Sequence, residues 1–530
     1  MLRSKLPALL LATAFALPAF AAPAFAAPAF AADASRTLRV VPQSDLTVID
    51  PVFGSAWISL ISGEMIWESL FTWDAKLAPK PMMVQDWSVS PDGLVWRFGL
   101  RPGLRFHTGE PVTTADVIAS TRRWMALDAL GAKVGSVTDA LTAIDDRQIE
   151  FRLKKPFPSM LDALAAAPAR FPAIMRAKDI EADGKPILTQ VSNAIGSGPF
   201  RFLPGERNVG HRAVWERNPD YTPRSEPPDG LSGARVVKVD RVEWLVMPEA
   251  ATAAAALQAG EVDMLERPVL DQVEALAKLP GIRILKLTPI MAQNMLRPNA
   301  TIPPFDNPKM RLALAYVIDQ PDEMAAGWGE ESHWKTCNSY FVCGSPYGTA
   351  AGAETFHQDF ARARQLAAEA GYKGEKLIFV ATKEIPTLGQ MSEVAFDALK
   401  RAGFNVEMRW GDWGTVGQIL RQKDKWNLFL TGAPGAIMYH PLTNIATDMS
   451  CDGRNFVGWA CDLKAEVLRS AFLDAGEADR PAALDSYHRY LSEVQPYRVL
   501  GQYEALSAVR DSLTGLLSSP VIAYWNVEKK

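Results

Sequence analysis

The chain has 530 residues, 48% of them hydrophobic and 22% charged, with a formal charge of −4. That length exceeds a single core and predicts two or three domains. Mild acidity without a basic block argues against nucleic acid as a partner.

The first residues, MLRSKLPALLLATAFALPAF, carry Arg3 and Lys5 ahead of an apolar run, the pattern of a secretory signal peptide. The run continues as PAFAAPAFAAPAFAADAS and offers several A-x-A cleavage sites, the last at Ala29-Phe30-Ala31, so residues 1–32 are read as a cleaved leader. A membrane anchor is the rival reading, because Leu6 to Ala32 is uncharged. Pro18, Pro23 and Pro28 interrupt the helix that an anchor needs. No cysteine follows the apolar run, which excludes lipid modification there.

After the leader, Thr37 to Gln43 (TLRVVPQ) reads as a buried strand. WISLISGEMIWESLFTWD then places Ile58, Ile61, Met65, Ile66 and Leu70 at helical spacing. Two short strands and a turn follow, then a helix capped by Thr113 or Thr114 with Asp116 in its first turn. QIEFRLKKPFPSML repeats the strand-to-helix step, and Gly196-Ser197-Gly198-Pro199 reads as a turn rather than a phosphate loop. VDRVEWLVMPEAATAAAALQAGEVDMLE gives a strand, a helix capped near Glu249 or Thr252, a stop at Gly260 and a short strand.

Four cysteines lie in two close pairs, Cys337 with Cys343 and Cys451 with Cys461. In an exported chain those spacings predict two local disulfides. His333 and His440 could complete a zinc set on paper, but neither pair has the C-x2-C spacing of a structural zinc site, so no metal and no cofactor are expected. The chain holds no H-E-x-x-H, G-x-S-x-G or G-x-x-x-x-G-K motif, and its six histidines are scattered. An enzyme is not expected.

Several blocks in register resemble the extracellular solute-binding proteins of family 5, which serve dipeptide, oligopeptide and nickel ABC transporters. GEMIWESLFTWDAKLAPKPMMVQDWSVSPDGLVWRFGLRPGLRFHTGEPVTTADVIAS is similar to the family's opening signature, GSGPF to its Gly-Thr-Gly-Pro-Tyr element, AALQAGEVDML to its Ala-Leu-x-x-Gly-Glu-x-Asp element, and FDNPKMRLALAYVID to its Pro-x-Val-Arg helix. The resemblance runs from about Leu38 to the end. It implies an α/β fold: a two-lobed periplasmic binding protein of the Venus-flytrap kind with an additional inserted α/β domain. The implied division is 33–65, 205–285 and 500–530 for the first lobe, 66–204 for the inserted domain and 286–499 for the second lobe. It further implies a monomer in the periplasm that hands a small-molecule or peptide-like ligand to the permease subunits of an ABC importer in the inner membrane. A module reporting to a membrane sensor, a peptide chaperone and a secreted hydrolase are the alternatives.

In such a fold two lobes close across a hinge, so ligand contacts come from loops of both. The candidates are Gln43 and Thr47 after the first strand and Trp57 in the stretch Ser55 to Trp57, then Gln293 near the crossover. Glu384, Trp410 and Trp413 follow in two loops, and Thr431, Tyr439 and His440 in the stretch WNLFLTGAPGAIMYHPLTN. That stretch departs from the family, whose peptide-binding members commonly place an Asp there against the peptide ammonium. Here no acid occurs between Thr431 and Asp448. A desolvated ammonium without a counter-ion costs several kcal/mol, so a blocked, anionic or neutral ligand is expected unless Glu384 or Asp412 supplies the missing charge.

Overall fold

The computed structural model describes residues 36–54, 56–165, 170–453 and 455–530. The expected leader and Ser55 lie outside the described residues. Two mixed sheets and one antiparallel sheet organise the chain. The first sheet has seven strands, in the order Phe200–Phe202, Arg212–Arg217, Arg241–Leu245, Thr37–Val41, Met264–Leu265, Ser507–Arg510 and Ile282–Leu285. Thr37–Val41 lies at its centre, parallel to the strands on both sides (Thr37 opposite Arg241, Val40 opposite Met264). Its pattern of buried residues on both faces matches a strand covered on both sides.

The second sheet runs Trp334–Lys335, Arg498–Tyr503, Ala292–Pro298, Leu428–Ala433, Leu377–Thr382 and Val406–Gly411. Leu377–Thr382 is parallel to Val406–Gly411 and to Leu428–Ala433. The chain passes between the two sheets twice, through 286–291 and 504–506. Ile282–Leu285 is antiparallel to Ser507–Arg510 before the crossing, and Ala292–Pro298 to Arg498–Tyr503 after it. Lys286 and Glu504 join the two passages by an ion pair of 2.5 Å.

Two expected boundaries move. The division at 500 falls inside Arg498–Tyr503, whose backbone hydrogen bonds belong to the second sheet, so the return to the first lobe begins after Tyr503. Phe200–Phe202, read as part of the inserted domain, is the edge strand of the first sheet and pairs with Arg212–Arg217. The inserted domain itself is an antiparallel sheet, Val84–Val89, Val95–Leu100, Gln148–Leu153 and Thr138–Ala143, backed by the helices Thr114–Leu127 and Ala129–Val137.

Local chemistry explains the helix ends. The Thr113 backbone N–H donates to Asp116 Oδ2 at 2.9 Å, a reciprocal cap that starts Thr114–Leu127. Ala250–Ala259 starts after Glu249 and stops at Gly260, which adopts a left-handed φ of 77° that suits glycine. The first helix covers only Trp57–Ile66 and does not reach Leu70. The chain is diverted there because the Gly198 N–H takes the Ile66 carbonyl at 2.8 Å. A Cβ on Gly196 would lie 1.8 Å from that same carbonyl oxygen, so the glycines of GSGP serve close backbone approach.

His107 fastens this contact. Its Nδ1 accepts the Gly196 N–H and its Nε2 donates to the Gly198 carbonyl, both at 3.2 Å. The FHTGEP and GSGPF blocks, far apart in sequence, therefore meet through one neutral imidazole. Deeper in, Arg123 of the inserted domain and Asp50 of the first lobe are both fully buried and paired, with Nη1 to Oδ1 at 3.1 Å. Asp50 also accepts the N–H groups of Val52 and Val191, so its charge is fully solvated by protein.

Both disulfides form as expected, Cys337 with Cys343 and Cys451 with Cys461. No helix among the described residues is long and apolar enough to cross a membrane.

Burial holds His107 and His488 down to about 4 and His440 to about 3, all below the ordinary 6.5. Below 6.5 the unfolded chain therefore binds more protons than the folded one, and stability falls as the pH drops toward 4. Asp128, raised by burial to about 6, works in the opposite direction. We expect His107→Gln to remove about 2 kcal/mol of the stability lost between pH 6.5 and pH 5. Denaturant melts of both proteins at those two pH values check this, and equal pH slopes would contradict it.

Candidate ligand-binding site

In both sheets the carboxyl ends of the parallel strands carry the loops singled out by sequence. Ligands of open α/β sheets bind in the crevice outside such ends. On the first lobe Val41 leads to Gln43, and Leu265 leads to Glu266 and Arg267. On the second, Thr382 lies opposite Gly411, so the Lys383–Glu384 and Trp410–Trp413 loops are neighbours. Leu428–Ala433 brings Pro434 and Gly435 to the same edge.

Between the lobes is a narrow cavity with room for little more than a water molecule. Trp57, Arg267 and Pro520 line it from the first lobe, Thr288, Ile290, Ala292 and Ala505 from the two crossings and their borders, and Pro434, Gly435 and Ala436 from the second lobe. Trp57 is the first residue of its helix, whose cap, Ala56, offers no side-chain oxygen and whose first turn holds no acid. Among the described residues, no side-chain cap and no first-turn acid offsets the positive end of that helix.

Of the expected contacts, Trp57 lines the cavity. Gln43 is not part of the lining; its backbone N–H donates to Glu266 Oε2 at 2.9 Å. Thr431 is buried in its strand just before the Pro434 turn. Trp410 and Trp413 are 37% and 40% exposed at the rim, large apolar surfaces left open, with Lys383 Nζ 4.7 Å above the Trp410 ring. Thr47 is exposed and its carbonyl is held by Arg207.

Three expected contacts are placed elsewhere by the structure. Gln293 is fully buried inside the second lobe, where Nε2 donates to the Ser339 carbonyl at 3.1 Å and Oε1 accepts from Tyr497. Its amide steadies the Cys337–Cys343 loop. His440 is buried with Nδ1 accepting the Leu442 N–H at 2.8 Å, and its ring packs on Tyr347 and Phe472. Tyr439 packs edge-on against Tyr347 with ring centres 5.1 Å apart.

That aromatic cluster belongs to a contact between the second lobe and the inserted domain, where Lys155 pairs with Asp474 at 2.6 Å and Lys133 donates to Ser470 at 2.7 Å. Asp162 of the inserted domain faces Tyr347 and Tyr439, and burial raises its carboxyl group.

The two carboxylates that could have replaced the missing acid are both engaged. Asp412 caps the helix Trp413–Leu420, accepting from the Thr415 N–H at 2.8 Å and hydroxyl at 2.6 Å. Glu384 accepts the Trp413 N–H at 2.6 Å. Sequence reasoning missed Arg267, the one charged side chain on the cavity wall among the described residues. Its signal was available: it comes two residues after the AALQAGEVDML strand, at a carboxyl end. Among the described residues, no group of three or more His, Cys, Asp or Glu is placed to hold a metal ion.

Gly435 is where the wall comes closest to the crossing. A Cβ there would lie 2.2 Å from the Met291 carbonyl oxygen and 2.5 Å from Ile290 Cγ2. Gly435→Ala is expected to push the turn away, costing about 1–3 kcal/mol and weakening ligand capture. Gly417→Ala, which meets nothing within 4 Å in the interior of the helix Trp413–Leu420, should leave capture unchanged and add up to about 1 kcal/mol of stability. Thermal melts and ligand titrations of the two variants check this, and two variants alike would refute it.

Comparison with known proteins supplies the family. The model of bacterial extracellular solute-binding proteins, family 5, matches residues 78–456. The probable peptide ABC transporter periplasmic-binding protein y4tO of Sinorhizobium fredii (strain NBRC 101917 / NGR234) is 33% identical over 506 residues, covering 94% of either chain. The glutathione-binding protein GsiB of Pectobacterium atrosepticum is 26% identical over 348 residues, 64% of this chain and 62% of its own. Among solved structures, a dipeptide binding protein from Pseudoalteromonas sp. SM9913 with Met-Leu superposes with a TM-score of 0.79 at 21% identity, covering 93% of this chain and 100% of that one. AgaA from A. tumefaciens R10 with agropinic acid gives 0.78 at 20% identity, with coverage of 93% and 99%. At those identities the likeness is one of fold: two-lobed periplasmic binding proteins.

Proposed function

Because the chain belongs to the family 5 bacterial extracellular solute-binding proteins, we propose that it is the exported capture subunit of an ABC importer, holding a peptide-like or other small organic solute between its lobes for a membrane permease. The observation that carries this reading is the cavity at the facing carboxyl ends of two sheets joined by only two strands of chain. Such a joint allows the lobes to part and close, and a cavity this tight requires them to part before any solute enters. The chain acts as a monomer in the periplasm. Solved members of the fold hold ligands as different as Met-Leu and agropinic acid, so the walls of this cavity, rather than the fold, select the solute.

Small-angle scattering tests the closing motion. Protein stripped of ligand should show a larger radius of gyration than the same protein resaturated with its co-purified solute, and an unchanged radius would count against capture by closure.

A second outcome concerns peptides. Asp412 and Glu384, the two carboxylates placed to serve an ammonium, are committed to helix and loop N–H groups. Calorimetric titration with Met-Leu and with unmodified tripeptides should therefore show no micromolar binding. Micromolar binding that N-acetylation abolishes would show that an acid, Asp162 being the first to replace with Asn, serves the ammonium after all.

A further inference from the structure

We propose that the solute is an organic acid without a free amine, and that Arg267 binds its carboxylate. The proposal deepens the solute-capture reading and rests on it. Among the described residues, Arg267 is the single charged side chain on the cavity wall. It is exposed, and its guanidinium makes no hydrogen bond or ion pair among the described residues. The rest of the wall is apolar or small, with Ile290, Pro434 and Ala436 offering no side-chain hydrogen bond.

A planar guanidinium at the edge of such a wall binds a carboxylate through two parallel N–H bonds, and closure strengthens the pair by removing water.

The neighbouring charges leave Arg267 available. Glu266, next in the chain, is 1% exposed and turned inward to the Gln43 N–H; burial raises its carboxyl group while the charge of Arg267 lowers it, and the two make no ion pair within 4 Å. Glu504, beside the cavity residue Ala505, is taken by Lys286. Across the cavity, Glu384 and Asp412 are held by N–H groups of the second lobe. The uncapped start of the Trp57–Ile66 helix adds partial positive charge from the same lobe. The electrostatics of the first lobe are therefore arranged for an anion, with the Trp57 ring beside it to cover the apolar part of the ligand.

The test uses full-length mature protein purified from periplasm, as wild type, Arg267→Gln and Arg267→Lys. Small molecules released on denaturation are weighed before and after esterification in acidic methanol and after an amine-selective reagent. Calorimetry with a panel of N-acetyl dipeptides and their carboxamides runs in parallel. Wild type should carry a molecule that forms a methyl ester and ignores the amine reagent. It should also bind acids of the panel in preference to the carboxamides.

Arg267→Gln should lose roughly tenfold to a hundredfold in affinity, and Arg267→Lys should recover part of the loss. Both ligand-free variants should melt within about 2 °C of wild type, because the exposed side chain has no partner to lose. A neutral or amine-bearing ligand, or undiminished occupancy in Arg267→Gln, overturns the assignment while leaving solute capture standing. Wild type that releases nothing and binds nothing on the panel overturns the capture reading and this inference together.

Discussion

Two adjacent passages carry the backbone from one large sheet to the other. Ile282–Leu285 and Ser507–Arg510 are antiparallel partners in one sheet, and their continuations, Ala292–Pro298 and Arg498–Tyr503, are partners in the other. A double passage resists twisting more than a single one does. The Lys286–Glu504 pair ties the two passages together where they leave the first sheet. Everything in the cavity is positioned against this ribbon. Ile290 and Ala505 belong to it, Gly435 is pressed to its carbonyls, and Arg267 follows the neighbouring strand.

The charges divide into two populations with different tasks. Arg123 with Asp50, Arg235 with Glu64 and Arg101 with Glu68 are buried pairs. The first joins the inserted domain to the first lobe, and the second lies under the Trp525 ring, 4.4 Å from Arg235. Such pairs add little net stability, but removing one partner is costly, so they fix how the pieces dock. The cleft has no comparable pair. Glu384 and Asp412 accept local N–H groups, Glu504 pairs with Lys286, and Arg267 is the one charged residue of the lining among the described residues.

What sequence revealed was chiefly local. Thr113 with Asp116, Gly260 after its helix and the two cysteine pairs are short-range chemistry, legible from spacing alone. Strand positions were legible too, because buried runs such as Leu38 to Val41 stand out. The facing of side chains was not. Ala292–Pro298 is buried at every position, so its pattern gives no inside or outside, and Gln293 could be assigned to the cleft when its amide in fact serves the disulfide loop. Tyr439 and His440 follow the short helix Gly435–Met438, and both pack on Tyr347. Arg267 was overlooked because a lone arginine after a two-residue strand has no motif. Only the meeting of two lobes makes it the sole charge on a wall.

The place of Ser507–Arg510 inside the first sheet, between Met264–Leu265 and Ile282–Leu285, governs when that sheet can be finished. Those two flanking strands do not touch each other and wait for a partner from the far end of the chain. The Ser507 hydroxyl reaches the Glu266 carbonyl across 241 residues, and Lys529 Nζ reaches the Thr37 carbonyl across 492. Contacts of that range form late and slowly, because a long loop must close before they contribute. A chain emerging amino end first therefore keeps an open slot in its first lobe until nearly its last residues arrive. The topology thus makes the first sheet the last part of the fold to be completed.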